Sequence, residues 1–170
     1  MRGTTKTGRP ARAAALAALA LAALTGCVSP PAPAPDATSA DPSGPVDPFS
    51  VAVGDCIEDE LAEGDVLDVP VIDCEQPHLA EAYHAELLPD GEYPGIEAVK
   101  SAAVDVCLEH FERFAGVSYD ASQHLDFAWY YPTEGSWSTG DREILCLMLQ
   151  IDPATGTRVT TTGTLQGFGE

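Results

Sequence analysis

The chain predicts an α+β fold, a mostly antiparallel sheet packed by one long helix and stapled by two disulfides. Three observations carry that reading. An apolar repeat of three or four residues runs from Ile96 to Phe114, short strand-like runs lie on both sides of it, and the cysteines left for the folded part are even in number. One helix against a run of strands is the α+β pattern.

The elements follow in order. Residues 49–53 alternate apolar and small and then meet Gly54-Asp55, which reads as a short strand ending in a turn. Residues 65–74 contain Val66, Leu67, Val69, Val71 and Ile72, a strand that Pro70 demotes to a sheet edge. Residues 81–88 form the next strand, closed by the turn signal Pro89-Asp90-Gly91. Ile96, Val99, Ala103, Val106, Cys107, His110, Phe111 and Phe114 then make the apolar stripe of one helix of about 20 residues, stopped by Gly116. Residues 126–131 are aromatic-rich and strand-like, and 132–140 form a loop carrying Trp137. Residues 143–151 are apolar on both faces, so this strand is central and covered on both sides. Threonine-rich 159–165 gives a last edge strand.

Ahead of the domain, residues 1–26 read as a signal peptide of the lipoprotein type. Arg2, Lys6, Arg9 and Arg12 precede an unbroken Ala/Leu run over 13–24, and small residues then lead to a cysteine. Leu24-Thr25-Gly26-Cys27 resembles the lipobox of bacterial lipoproteins, which implies acylation of Cys27 and cleavage before it. The apolar run is well short of the ~20 residues that a membrane span needs. Residues 27–48 follow as the lipidated cysteine and a tether rich in Pro, Ala, Ser and Asp, with little to bury. Twenty residues of extended polyproline-type chain reach at most roughly 60 Å. Residues 49–170 make one domain.

Charge narrows the partners. The chain has 8 Lys and Arg against 27 Asp and Glu, a formal charge of −19. Loss of the leader leaves four bases against the 27 acids, near −23. Nucleic acid is excluded as a partner, because its binding rests on neutralising phosphates with Lys and Arg. Such a surface also does not lie flat on anionic lipid, so the acyl chain is the expected membrane contact, on the extracytoplasmic face. The charge serves solubility, or offers an acidic face to a basic protein. No calcium-loop pattern occurs, and no cofactor or metal is expected.

Cys56, Cys74, Cys107 and Cys146 remain after Cys27. In an exported domain they form a disulfide framework, and of three pairings Cys56–Cys74 and Cys107–Cys146 fit best. The first closes two consecutive strands. The second pins the helix stripe to the central strand. Closely spaced zinc ligands and Cys-x-x-Cys are both absent.

The catalytic inventory is sparse. Gly-x-Ser-x-Gly, His-Glu-x-x-His and a phosphate-binding glycine loop are missing, so the chain gives no positive case for an enzyme. His78 and Glu81 lie close enough in sequence to act as base and orienter, or to brace a loop. His110 is a packing residue of the helix stripe. Phe127, Trp129, Tyr130, Tyr131 and Trp137 crowd into eleven residues, and Trp137 in a Gly/Ser/Thr loop is a contact for a partner or a sugar. His78, Glu81, Tyr130 and Trp137 are therefore the candidate binding residues.

The same residues carry a family resemblance. Val53-Gly54-Asp55-Cys56, Asp73-Cys74 with Pro77-His78 and Glu81, Tyr93-Pro94-Gly95 before a helix bearing Cys107, then Tyr130-Tyr131-Pro132, Trp137, Gly140-Asp141-Arg142 and Cys146 resemble, in that order, the actinobacterial septum-formation domain. The resemblance covers about 51–165 and implies an extracytoplasmic domain linked to septum formation. It supplies no catalytic residues. Members often carry transmembrane helices ahead of the domain, whereas this chain uses a lipid anchor. The reading is an envelope lipoprotein whose domain binds an envelope or division protein, or a wall component, without catalysis. Two other readings stand beside it, a wall-polymer enzyme using His78 and Glu81, and a ligand-scavenging lipoprotein with a pocket beside Trp137.

Overall fold

The computed structural model describes residues 44–58 and 66–169. The leader, Cys27 and most of the tether lie outside the described residues. Among the described residues, six strands and two α-helices follow the order β1 (Gly44–Val46), β2 (Cys56–Ile57), β3 (Val69–Ile72), β4 (Ala80–Leu87), α1 (Ile96–Ala115), β5 (Leu125–Tyr130), α2 (Glu134–Ser138) and β6 (Glu143–Gln150). The strands form one curled antiparallel sheet in the order β1-β3-β2-β4-β6-β5. The fold is α+β, as the sequence predicts. Among the described residues no helix is long and apolar enough to cross a membrane.

The core has two faces because β6 has two. Ile144, Cys146 and Met148 point to one side and meet Ala103, Cys107, Phe111 and Ala115 of α1. Leu145, Leu147 and Leu149 point to the other side and meet Ile57, Val69, Val71, Ala80 and Ala82. The curl of the sheet brings β2 and β3 onto that second face, so β6 is covered on both. Helix α1 buries the stripe Val99, Ala103, Cys107, Phe111 and Ala115, one residue every four. It ends at Gly116, whose φ of +80° permits the left-handed cap and whose N–H donates to the Glu112 carbonyl at 2.9 Å. The C-terminal segment completes the cap. Gly167 N–H donates to Phe114 O at 2.7 Å, and Gly169 N–H to Ala115 O at 3.1 Å.

Both expected disulfides are present, with Cα–Cα distances of 5.2 Å for Cys56–Cys74 and 5.4 Å for Cys107–Cys146. The second joins the buried stripe of α1 to the middle of β6.

Four local expectations are corrected. Residues 49–53 are not a strand. The Asp47 side chain accepts from Phe49 N–H at 2.9 Å and opens a 3-10 turn at Pro48–Ser50, which leaves Phe49 exposed. The edge strand is instead β1, inside the segment read as tether. Its presence takes β3 off the sheet edge, although Pro70 stays tolerable. The Pro70 carbonyl accepts from Glu58 N–H at 3.0 Å, so its hydrogen-bonding side faces β2, and towards β1 it opposes Pro45, where neither residue needs an N–H. The 132–140 loop contains α2, started by a capping box between Thr133 and Ser136. Residues 159–165 form no strand. Two isolated bridges, His78 to Thr161 and Ile151 to Arg158, hold this segment before Leu165 enters the core.

Candidate functional site

The four candidate residues do not gather in one place. His78 and Glu81 lie where β4 begins, beside the C-terminal segment, and Trp137 lies beyond its other end. The eight residues of β4 separate them by about 26 Å of strand.

His78 is fully buried, and its Nδ1 is 2.8 Å from the Gln76 carbonyl. Its backbone exchanges two hydrogen bonds with Thr161, both 2.9 Å. Glu81 is 4 % exposed. Its Oε1 accepts from the Thr164 hydroxyl at 2.7 Å and its Oε2 from Leu165 N–H at 2.6 Å. No hydrogen bond or ion pair joins the two side chains, so each braces the C-terminal segment separately. Tyr130 is half-buried at the end of β5, opposite Leu145, and burial raises its pKa against a smaller lowering from Arg158.

Trp137 forms the floor of a cleft of about 280 Å³ between the end of β4, the first turns of α1, and α2. Leu88, Pro89, Pro94, Ala98 and Ala102 line its walls, and Asp90 and Glu92 stand at its rim. The volume falls just short of the ~300 Å³ at which drug-sized pockets begin. A cleft of that size holds a side chain, a short segment of chain or a small ligand.

The floor is assembled from local rules. Thr133 and Ser136 start α2, and the Ser136 hydroxyl donates to Asp141 Oδ2 at 2.7 Å. Gly140, at φ +106°, turns the chain back so that Asp141 Oδ1 accepts from Glu143 N–H at 3.0 Å and starts β6. Arg142 then lies over the Trp137 ring, 3.8 Å from its centroid, and donates to the Trp137 carbonyl at 2.9 Å. Arg142 Nε is also 3.4 Å from Asp90 Oδ1, an ion pair weakened by the full exposure of Asp90. The indole N–H donates to the Gly91 carbonyl at 2.9 Å, and Tyr93 packs edge-on at 5.7 Å. Trp137 is thus only 7 % exposed, and its fixed ring presents apolar surface to the cleft.

Sequence reasoning named Trp137 but missed Arg142, Asp90 and Glu92. Gly140-Asp141-Arg142 was the available signal. Its three residues turn the chain, start β6 and clamp the tryptophan. On the approach to the cleft, Lys100 lies over the Tyr131 ring at 5.8 Å. Two of the domain's few bases are therefore engaged with aromatic rings, while Glu92 and Glu97 remain exposed.

No curated protein and no solved structure matches the chain. A family model described as septum formation matches residues 53–169, which include both disulfides, the Trp137 cleft and the clamp on Glu81. That match covers most of the chain, and the chain belongs to the septum-formation family.

Proposed function

We propose that this protein is a lipid-anchored envelope protein that acts in septum formation as a binding module, its Trp137 cleft receiving a basic segment of a division or envelope protein. The observation that carries the reading is the cleft itself, an apolar trough on a fixed indole with Asp90 and Glu92 at its rim. Acidic rims steer lysine- and arginine-bearing partners, and a rigid aromatic floor supplies contact area at little entropic cost. The formal charge of −19 extends that steering beyond the cleft. Anchoring follows from Leu24-Thr25-Gly26-Cys27, and the tether lets the domain reach away from the lipid. The proposal involves no catalysis. Both oxygens of Glu81 are committed to Thr164 and Leu165, which favours a structural role over proton transfer.

Photocrosslinking in dividing cells tests this. A photoreactive residue at exposed Ala98 in the cleft is compared with one at exposed Ala154, beyond the far end of β6. The proposal expects a crosslink from position 98 alone, mapping to a basic segment of a division or envelope protein. No adduct at 98, or the same adducts from both positions, contradicts it.

A further inference from the structure

A second constellation lies across the Cys107–Cys146 disulfide. The register of β4 against β6 shifts between Ala82 and His84, so Tyr83 is an extra residue and His84 falls opposite Cys146. Helix α1 brings His110 over that point. The two imidazoles stack with centroids 3.4 Å apart and planes within 7°. His110 follows Cys107 by three residues on the helix, so the disulfide links the neighbours of both rings and fixes the strand-to-helix distance between them. Glu86, two residues beyond His84, shares its face of the strand, and its Oε2 lies 3.6 Å from His84 Nε2.

The nitrogens are suited to ligation. His110 Nδ1 is 3.0 Å from the Val106 carbonyl, an acceptor only, so Nδ1 carries the proton and Nε2 of the neutral ring keeps its lone pair. A backbone carbonyl that fixes the tautomer in this way is the usual support behind a metal-bound histidine. His84 Nε2 is buried and makes no hydrogen bond. A buried polar atom of that kind calls for a partner. One ligand atom from each of His84, Glu86 and His110 lies within 4.8 Å of the others.

We propose that His84, Glu86 and His110 form a binding site for a divalent transition metal of the Zn²⁺ or Cu²⁺ class. Two imidazoles and a carboxylate are a donor set for such ions, whereas Ca²⁺ and Mg²⁺ take oxygen ligands. Tetrahedral zinc with ligand bonds of about 2.0–2.1 Å has edges of about 3.3–3.4 Å between ligand atoms. The 3.6 Å distance between His84 Nε2 and Glu86 Oε2 is already close to such an edge. Binding would tilt the two rings out of their parallel stack, so that a lone pair from each meets the ion. Glu86 is half exposed, so water can reach the fourth position. The ion would cross-brace β4 and α1 beside the disulfide, and it would stabilise the fold because only the native state assembles all three ligands.

The test uses the full chain without a histidine tag, titrated with Co²⁺ for its ligand-field spectrum and with Zn²⁺ by calorimetry and thermal melting. The proposal expects one ion per chain, a tetrahedral Co²⁺ spectrum displaced by Zn²⁺ but not by Ca²⁺, and a higher Tm with Zn²⁺. His84→Gln or His110→Gln should weaken affinity by at least about 10–100-fold, and Glu86→Gln by about tenfold. Glu86 is partly exposed, so its variant remains informative if either histidine variant fails to fold. Absence of saturable binding, displacement by Ca²⁺, or affinity unchanged in Glu86→Gln overturns the site.

Discussion

Replacing Glu81 with alanine separates a structural carboxylate from a catalytic one. Its two oxygens hold the Thr164 hydroxyl at 2.7 Å and Leu165 N–H at 2.6 Å, and the Leu165 side chain lies in the core with Phe111 and Met148. Hydrogen bonds to a charged group contribute about 1.5–3 kcal/mol each, and a buried N–H left unpaired costs about 1–3 kcal/mol. Losing both bonds should destabilise the domain by on the order of 3–5 kcal/mol, a large fraction of the ~5–15 kcal/mol typical of native proteins. Glu81→Gln keeps one acceptor for Leu165 and should cost less than half as much. Urea denaturation of the oxidised protein measures both variants, and hydrogen exchange at the Leu165 amide reports the bond itself. A Glu81→Ala variant within about 0.5 kcal/mol of the parent, in the range of an unremarkable surface change, would refute the clamp, as would unchanged protection of Leu165.

Three further outcomes follow, two from the structure and one from the sequence. Replacing Cys107 and Cys146 by alanine should cost about 4 kcal/mol and replacing Cys56 and Cys74 about 3 kcal/mol, from loops closed over separations of 39 and 18 residues, measured by urea unfolding. Burial, then repulsion from Asp141, raises the pKa of Glu143, so the native state holds this proton more tightly than the unfolded chain. The resulting penalty is absent in acid, grows as pH rises from the ordinary carboxylate range through the native pKa, and persists at neutrality. Glu143→Gln should therefore raise Tm at pH 7 and leave it unchanged in acid. Cys27→Ser should move the protein from the detergent phase to the aqueous phase or leave it unprocessed, and intact mass should show an acyl group on the parent alone.

What the sequence made legible was local. The three-to-four spacing of the α1 stripe and Gly116 marked the helix, and the doubly apolar run from Ile144 to Leu149 marked β6 as covered on both faces. Cys107 on one and Cys146 on the other then made their pairing readable. What stayed hidden depends on distant partners. Strand β1 is Gly-Pro-Val, which resembles tether until it is seen that its proline opposes Pro70. Trp137 reads as a loop contact because the acceptor of its indole N–H, Gly91, lies 46 residues away. Glu81 reads as a candidate base because Thr164 is 83 residues distant. His110 falls on an apolar stripe and reads as packing, and only the folded chain sets it against His84.

The central claim is that septum formation requires the acidic cleft and no catalysis. Complementation of a deletion strain tests it most directly, with septum placement scored by microscopy and disulfides checked in each variant. Asp90→Asn with Glu92→Lys removes the negative charge of the rim without setting a cation against Arg142, and both side chains are exposed. The account predicts that the deletion disturbs septa, that the parent and Glu81→Gln restore them, and that the rim variant accumulates in oxidised form without restoring them. Full rescue by the rim variant, or failure by a folded Glu81→Gln, would contradict it.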